Sequence, residues 1–252
     1  MDQDALDAED RTANVVSFLS RRRVVTEAAF LLPHLRAGDR VLDCGCGSGR
    51  ITRELAQAVG PGGSVVGVDL TIEGVRPAFE PSNETRASIR FRAADLSDLP
   101  FPDASFDVVF AHVLFGHLDM PVAAAREIMR VLSPGGLIAM RSPDWGGFLP
   151  DPQGRNVAHA VRRYQARSTG ARGAVLTGRK LARLLRRSGA ERIEPSASYE
   201  IYEMEGVSLD YLACRMEALD PNAADALRTW SCDPDAMFAH VWSEALGRKP
   251  AA

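Results

Sequence analysis

The fold of this chain is decided by one short stretch, Arg40-Val41-Leu42-Asp43-Cys44-Gly45-Cys46-Gly47-Ser48-Gly49-Arg50. Its apolar start ends in an acid, and glycine then occupies every second position. Apolar residues follow at a spacing of four, at Ile51, Leu55 and Val59, which is typical of one face of a helix. The pattern predicts a strand, a tight turn and a helix, with Ser48 as the N-cap of that helix.

The glycines of this turn indicate a bound ligand. Glycine admits positive φ and lets the backbone approach a ligand closely, and the N–H groups at a helix N-terminus attract an anionic group. A dinucleotide-binding turn has its last glycine where this chain has Arg50. The acid before the first glycine, Asp43, instead favours a cationic group such as an amino-acid ammonium.

Composition places the chain among ordinary globular proteins. It has 252 residues, of which 46% are hydrophobic and 25% charged, and a formal net charge of −3. That length is enough for one large domain with a substantial core. The mildly acidic balance argues against a nucleic-acid partner, because nucleic-acid-binding domains are usually basic.

The sequence also argues against a membrane partner and a metal site. No apolar run approaches the ~20 residues of a membrane span, and the acidic start, Met1–Asp7, lacks a signal-peptide core. The four cysteines, Cys44, Cys46, Cys214 and Cys232, do not have metal-ligand spacing. We therefore expect a cytoplasmic protein with reduced thiols and no bound metal.

Two further segments are predicted to be strands that end in an acid. Ser64–Asp69 is almost continuously apolar, which is typical of a parallel strand buried on both faces, and Ser88–Asp95 alternates. Ligands of doubly wound sheets bind outside the carboxyl ends of the strands. Asp43, Asp69 and Asp95 are therefore expected to line one site.

The two later acids suit different ligand groups. The carboxylate of Asp69 can accept hydrogen bonds from both hydroxyls of a ribose, although it could also cap the helix that follows. Asp95 can accept from the exocyclic amine of an adenine while Ala94 and Leu96 line the face of the ring. Leu70, directly after Asp69, belongs to the same predicted site.

The alternation of strands and helices continues along the chain. A fourth strand is predicted at 106–110, a helix at 122–132 and a fifth strand at 137–142, which predicts right-handed crossovers in a parallel sheet. A sixth strand is predicted at 193–202, whereas 241–246 fit either a closing antiparallel strand or a helix. The predicted fold class is α/β, with a doubly wound, mostly parallel seven-stranded sheet.

These strand ends together resemble the class I S-adenosylmethionine-dependent methyltransferases, in the broad group that includes quinone-biosynthesis methyltransferases. The resemblance covers residues 38–142 and is carried by Asp43–Gly49, Asp69, Asp95 and the turn Pro134-Gly135-Gly136. It implies a Rossmann-like methyltransferase fold. It also implies S-adenosylmethionine as the cofactor and S-adenosylhomocysteine as the product.

The resemblance also implies roles for individual residues. Asp69 would bind the ribose diol, Asp95 the adenine amine, and the backbone of Ala111 would face the methionine ammonium near the reacting methyl. The methionine part would be held by Asp43 and by the loop backbone at Gly45, Cys46, Gly47 and Gly49.

The same resemblance organises the chain into one domain over residues 1–252. Residues 1–37 would form an N-terminal helical cap, and 38–144 the cofactor-binding core. Residues 145–178 would be an insertion that folds over the strand ends as a lid with substrate contacts. The remaining residues, 179–252, would complete the sheet and its helices.

Two histidines and one arginine are further candidates for the site. His112 and His117 follow the fourth strand, where either could act as a general base for an acceptor that arrives protonated, or simply pack there. Arg21, Arg22 and Arg23 precede an apolar helical stripe. They fit a solvated charge run, or a site in which Arg22 pairs with a carboxylate.

Substrate contacts are predicted just after the fifth strand. Asp144 and Trp145 lie there, and Tyr164 could contribute to an aromatic pocket or belong to the core. No Asn-Pro-Pro-Tyr sequence follows the fourth strand, which argues against methylation of nucleic-acid bases. We expect methyl transfer to oxygen, nitrogen or carbon of a small molecule, such as a secondary metabolite. A protein that binds the cofactor without transferring methyl, and a nicotinamide-dependent oxidoreductase, remain the alternatives.

Overall fold

The computed structural model of the chain describes residues 22–71, 87–166, 176–203, 213 and 220–251. Several predictions from the sequence lie wholly or largely outside these residues. They concern the start of the N-terminal cap, a short or kinked helix at 71–84, the loop at 168–178 and a helix at 209–219.

The described residues form six helices and seven strands. The strands are β1 Arg40–Cys44, β2 Ser64–Asp69, β3 Ser88–Ala93, β4 Phe106–His112, β5 Leu132–Asp151, β6 Glu191–Glu203 and β7 Met237–Arg248. The helices are α1 Val24–Glu27, α2 Arg50–Val59, α3 Pro121–Val131, α4 Arg155–Ala166, α5 Leu181–Ser188 and α6 Pro221–Ser231.

The strands form one seven-stranded sheet in the order β3-β2-β1-β4-β5-β7-β6. The ladders that join β1 to β2, β2 to β3, β1 to β4 and β4 to β5 are all parallel. Near the start of β5, Gly135 N donates to Lys249 O at 3.1 Å and Lys249 N donates to Gly136 O at 2.9 Å. The last apolar segment is therefore a strand antiparallel to β5. The predicted fold class is confirmed.

The described residues divide into two compact units. The core unit comprises residues 22–71, 87–142, 177–197 and 243–251. The aromatic unit comprises residues 143–166, 176, 198–203, 213 and 220–242. The division into cap, core and lid stays a prediction.

In the core unit, neighbouring residues of the central strands point to opposite faces of the sheet. Val108 and Leu137 belong to a buried cluster with residues of α2, whereas Val109 and Ile138 belong to another with residues of α3 and α5. Strand side chains alternate with a period of two. An uninterrupted apolar run is therefore buried on both faces, as doubly wound sheets require.

The continuous helix expected from the stripe between Val24 and Leu35 is wrong. The α-helix ends at Glu27, and a 3₁₀ turn follows at Leu32–His34. Pro33 has no N–H to donate and disfavours a continuing α-helix. The stripe is nevertheless used, because three of its apolar members are buried, Val24, Ala28 and Leu31.

The glycines and prolines between Gly146 and Gly154 predict a loop after Trp145, and this prediction is wrong in part, because β5 continues to Asp151. Gly147 explains the difference. A Cβ at Gly147 would lie 2.3 Å from Cγ1 of Val241 in β7. This glycine therefore allows the close approach of a neighbouring strand and does not mark a turn.

Candidate functional site

The carboxyl ends of β1 to β4 meet at one edge of the core unit. Asp69 at the end of β2 is paired with Ala93 of β3, and Val68 is paired with Cys44 of β1. Cys44 is paired in turn with Ala111 of β4. The structure therefore aligns the strand ends on which the predicted cofactor residues lie.

The loop after β1 is held in a left-handed conformation by its glycines. Gly45, Gly47 and Gly49 have φ values of 73°, 49° and 72°. A Cβ at Gly47 would meet no atom within 4 Å. The requirement for glycine there is therefore set by the backbone conformation and not by space.

The prediction of Ser48 as the N-cap is wrong. The helix α2 begins at Arg50, and its N-cap is Gly49, which has left-handed backbone angles and no side chain to cap the helix. Its left-handed φ turns the chain into the helix one residue later than Ser48. The N-terminal turn of α2 thus follows a loop made largely of backbone.

Asp69 connects this loop to the end of β2. Its Oδ2 accepts a hydrogen bond from Gly47 N at 2.9 Å, and its Oδ1 accepts one from Leu70 N at 2.8 Å. A carboxylate oxygen can accept more than one hydrogen bond. Both oxygens can therefore still accept from a vicinal diol. The Leu70 side chain is 69% exposed beside them.

Asp43 is buried and interacts with α2. The hydroxyl of Thr52 donates to its Oδ2 at 2.6 Å. Burial and, to a smaller extent, the charge of Asp69 raise the pKa of Asp43 to about 6, against the lowering effect of the Thr52 hydrogen bond. Ionised Asp43 is thus costly, and a cationic ligand group beside it would offset that cost.

Asp95 lies beyond β3 and is exposed. Its Oδ1 accepts from Ser97 N at 2.8 Å and from Ser97 Oγ at 2.7 Å, and these hydrogen bonds hold its pKa below the usual value. Leu96 beside it is buried. Ala94 N donates to Asp69 O at 2.8 Å. An ionised acceptor and an apolar neighbour therefore adjoin the Asp69 end of the site.

A buried group of charges lies where the end of β4 is paired with the middle of β5, and sequence reasoning missed most of it. We call Glu27, His112, Arg141 and Glu244 the charge cluster. Arg141 is 2% exposed; its Nη1 donates to Oε2 of Glu27, and its Nε lies 3.4 Å from Oε1 of Glu244. Ser196 Oγ donates to the other oxygen of Glu244 at 2.9 Å.

His112 is the member of the charge cluster that the sequence did indicate. Its Nε2 lies 3.2 Å from Oε2 of Glu27, and it is paired with Arg141 across the β4–β5 ladder. Burial and the positive charges of Arg22 and Arg141 lower its pKa well below the usual value. His112 is therefore neutral at pH 7, and the structure places Arg22 near it.

The missed residues left a signal in the sequence. Arg141 ends the apolar run of the fifth strand, and Glu27 is three residues from Val24 on the apolar stripe. Glu244 interrupts the apolar segment 241–246 in the same way. A charged residue on an apolar face is rarely buried alone, so each predicted a buried partner without naming it.

The backbone next to the charge cluster is strained. Val113 has a φ of 53°, and its N–H donates to the carbonyl of Arg141 at 2.9 Å. A β-branched residue in the left-handed region is unusual, and such strain is concentrated at functional sites. Strain here supports a functional role for the end of β4.

His117 has a different environment. It closes the 3₁₀ turn Phe115–His117 and its side chain is exposed, whereas His112 is buried in the charge cluster. The two predicted bases are thus a solvent-exposed and a buried histidine.

The three predicted substrate residues belong to the aromatic unit. The ring of Trp145 lies 4.9 Å from that of Tyr164 and 4.2 Å from that of His240. Tyr164 is buried in this cluster, and Asp144 Oδ1 accepts from Gly146 N at 2.9 Å. Their role as substrate contacts stays a prediction.

Asp43→Asn should remove the pH-dependent destabilisation that ionisation of the buried Asp43 causes. Because Asp43 has a higher pKa folded (about 6) than unfolded (3.8), the cofactor-free native state holds the extra proton, and wild-type stability falls as pH rises from about 4 to about 6. The variant lacks this ionisation. Relative to wild type it should gain roughly 3 kcal/mol between pH 4 and pH 8 in urea unfolding.

Asp98→Asn is the matched control, since Asp98 is an exposed carboxylate of the same unit. It should show no such gain. A pH-independent difference between Asp43→Asn and wild type would contradict the buried, costly carboxylate.

Arg141→Met should destabilise the protein by about 3–5 kcal/mol, because it leaves two buried carboxylates without their cation. Arg23→Met, which removes an exposed partner of Glu54, should cost about 1 kcal/mol or less. Urea unfolding measures both. Equal costs for the two variants would show that the charge cluster is not buried as a unit.

Comparisons with known proteins agree with this geometry. Residues 42–140 match the family model described as a methyltransferase domain. The chain is 38% identical over 136 residues to the 27-O-demethylrifamycin SV methyltransferase of Amycolatopsis mediterranei, covering 52% of this chain and 47% of that protein. It is 34% identical over 135 residues to the demethylmenaquinone methyltransferase of Staphylococcus aureus, covering 51% and 53%.

A solved structure extends the likeness in fold. The crystal structure of a candidate methyltransferase from Bacillus halodurans matches 87% of this chain and 97% of its own, with a TM-score of 0.63 and 20% identity. The chain spans about half the length of the curated relatives it matches. Over residues 42–140, the resemblance to the class I S-adenosylmethionine-dependent methyltransferases is confirmed by the match to a methyltransferase domain.

Proposed function

We propose that this protein transfers a methyl group from S-adenosylmethionine to an oxygen, nitrogen or carbon of a small organic molecule. The observation that carries the proposal is the alignment of the glycine loop, Asp43 and Asp69 at one sheet edge. The match of residues 42–140 to a methyltransferase domain supports it. The relatives that act on rifamycin and menaquinone precursors support a small-molecule acceptor, and a secondary metabolite among the candidates.

The residues present fit the cofactor. Asp69 keeps acceptor capacity on both oxygens for a ribose diol, and Asp43 would be relieved of its ionisation cost by the methionine ammonium. Asp95 would accept from the adenine amine beside Leu96. The loop backbone and Ala111 would hold the methionine part, with Arg22 on its carboxylate; the residues concerned in the loop are Gly45, Cys46, Gly47 and Gly49.

The protein's contribution to the reaction is mainly alignment. The sulfonium supplies an already activated methyl group, and holding acceptor, methyl and sulfur in line can contribute ~7–11 kcal/mol. A base is needed only when the acceptor arrives protonated. His117 is the exposed candidate for that base. His112 is the buried one, kept neutral by its surroundings.

Two observations bear on the cellular location of the protein. No helix in the described ranges is long and apolar enough to cross a membrane. Cys44, Cys46 and Cys232 form no disulfide within the part of the chain that the structure describes, and cysteines without disulfides are usual in cytoplasmic proteins. We infer a cytoplasmic enzyme that acts on a small molecule, with Asp144, Trp145 and Tyr164 on the acceptor side.

Asp69→Ala should weaken S-adenosylmethionine binding about 10- to 100-fold, since it removes two charge-assisted hydrogen bonds to the ribose and the support of the loop at Gly47. Isothermal titration calorimetry measures it. Asp98→Ala is the control and should bind as wild type does. Equal affinity for the cofactor in Asp69→Ala would overturn the ribose assignment, and tight binding of NADH in its place would favour an oxidoreductase.

His117→Ala should lower the methyl-transfer rate about 100-fold or more if a protonated acceptor is used, which is the usual contribution of a general base. The readout is formation of S-adenosylhomocysteine at pH 6 to 9 with a panel of phenols, amines and enols. His34→Ala serves as the control.

The pH dependence of the rate tests whether His112 takes part. Because the pKa of His112 is far below its usual value, a reaction that uses His112 should show no loss of rate between pH 9 and pH 6 from this group. An unchanged rate of His117→Ala over that range would remove His117 from the mechanism.

A further inference from the structure

A groove in the aromatic unit is unused by the cofactor assignment. It has a volume of about 520 Å³ and lies between the end of β5 and one face of α4. That volume is within the range of small-molecule sites. Its walls combine apolar residues with cationic and amide side chains, chiefly Phe148, Leu149, Val161, Arg155, Arg162 and Gln165.

The sequence of α4 explains how one helix serves both core and groove. Arg155, Ala158, Arg162 and Gln165 are spaced by three and four and share the stripe that lines the groove. Another stripe is buried in the apolar cluster of the aromatic unit, through Val157, Ala160, Val161 and Tyr164. The groove face is therefore presented by a helix that the core holds in place.

The opposite wall is apolar and also held in place. Phe148 is buried, whereas Leu149 is 54% exposed. Gln165 Nε2 donates to the carbonyl of Trp145 at 2.6 Å, which ties the end of α4 to β5. Trp230 Nε1 donates to the carbonyl of Pro152 at 2.9 Å and holds the chain after β5 against α6. The groove is thus built on fixed elements.

Only one of the three arginines of α4 within the described residues pairs with an acid. Arg163 Nε lies 3.2 Å from Oδ2 of Asp220, and His159 Nε2 lies 3.7 Å from the same oxygen. Arg155 and Arg162 form no ion pair within the described residues. The helix contains no acid, in a chain whose net charge is −3.

The two groove-facing guanidinium groups therefore point to an anionic ligand. They are seven residues apart, about 10 Å along the helix axis, so they flank one short ligand with an apolar body. Arginine is well suited to carboxylate, sulfonate and phosphate groups, because its planar donors match two oxygens at once.

We propose that this groove binds a free amphipathic molecule with an apolar, ring-sized body and one anionic group. The apolar body would lie on Phe148 and Leu149, with the anionic group between Arg155 and Arg162. The concave shape and limited volume favour one small molecule over a lipid surface. This binding does not depend on the proposed methyl transfer.

The binding test uses two fluorescent probes with the same aromatic skeleton. Anilinonaphthalenesulfonate carries a sulfonate, and phenylnaphthylamine is its uncharged counterpart. Arg155→Gln/Arg162→Gln should weaken binding of the sulfonate probe at least tenfold and leave binding of the uncharged probe within about twofold. Arg163→Gln, on the same helix but paired with Asp220, is the matched control and should leave both affinities unchanged.

Three results would overturn anion-selective binding in the groove. They are an unchanged affinity of the double variant for the sulfonate probe, an equal loss in Arg163→Gln, and an equal loss for the uncharged probe. If wild type is sedimented by anionic vesicles and the double variant is not, the groove recognises a lipid surface and the proposal of a free small-molecule ligand fails.

Discussion

The hydrogen bond from Gly47 N to the carboxylate of Asp69 is the interaction on which the site depends. It joins the loop after β1 to the end of β2, and it forms only because the parallel register brings Cys44 beside Val68. The left-handed backbone at Gly45 and Gly47 then lets the loop approach β2 closely. One carboxylate thereby fixes the loop and keeps acceptor capacity for a ligand.

The same edge of the sheet carries an electrostatic cost. Asp43 is buried near the negative charge of Asp69, and its pKa is raised to about 6. A folded protein tolerates such a group where a ligand or a substrate offsets it. The strained Val113 follows the end of the neighbouring strand β4, and the charge cluster lies where that end is paired with Arg141 of β5. Unfavourable local features are thus concentrated where chemistry is proposed.

The aromatic unit shows a contrast in how cations are used. Asp220 caps α6 and also pairs with Arg163 of α4, so this arginine serves packing and local structure. Arg155 and Arg162 face the groove. The sequence of α4 is basic, but it does not tell which arginines pair with an acid and which face the groove. That depends on the residues of other elements that lie opposite each face of the helix.

The parallel sheet, the glycine loop and the acidic strand ends can be predicted from the sequence, because apolar runs, glycine spacing and strand-terminal acids are local patterns. The cluster of Glu27, Arg141 and Glu244 forms only in the folded chain. In sequence, Arg141 is 114 residues from Glu27 and 103 residues from Glu244. The tertiary structure also decided the extent of β5 at Gly147 and the N-cap at Gly49. The extent of β5 depends on how closely β7 approaches Gly147, and the N-cap depends on the backbone angles of Gly49. Local sequence composition specifies neither of these.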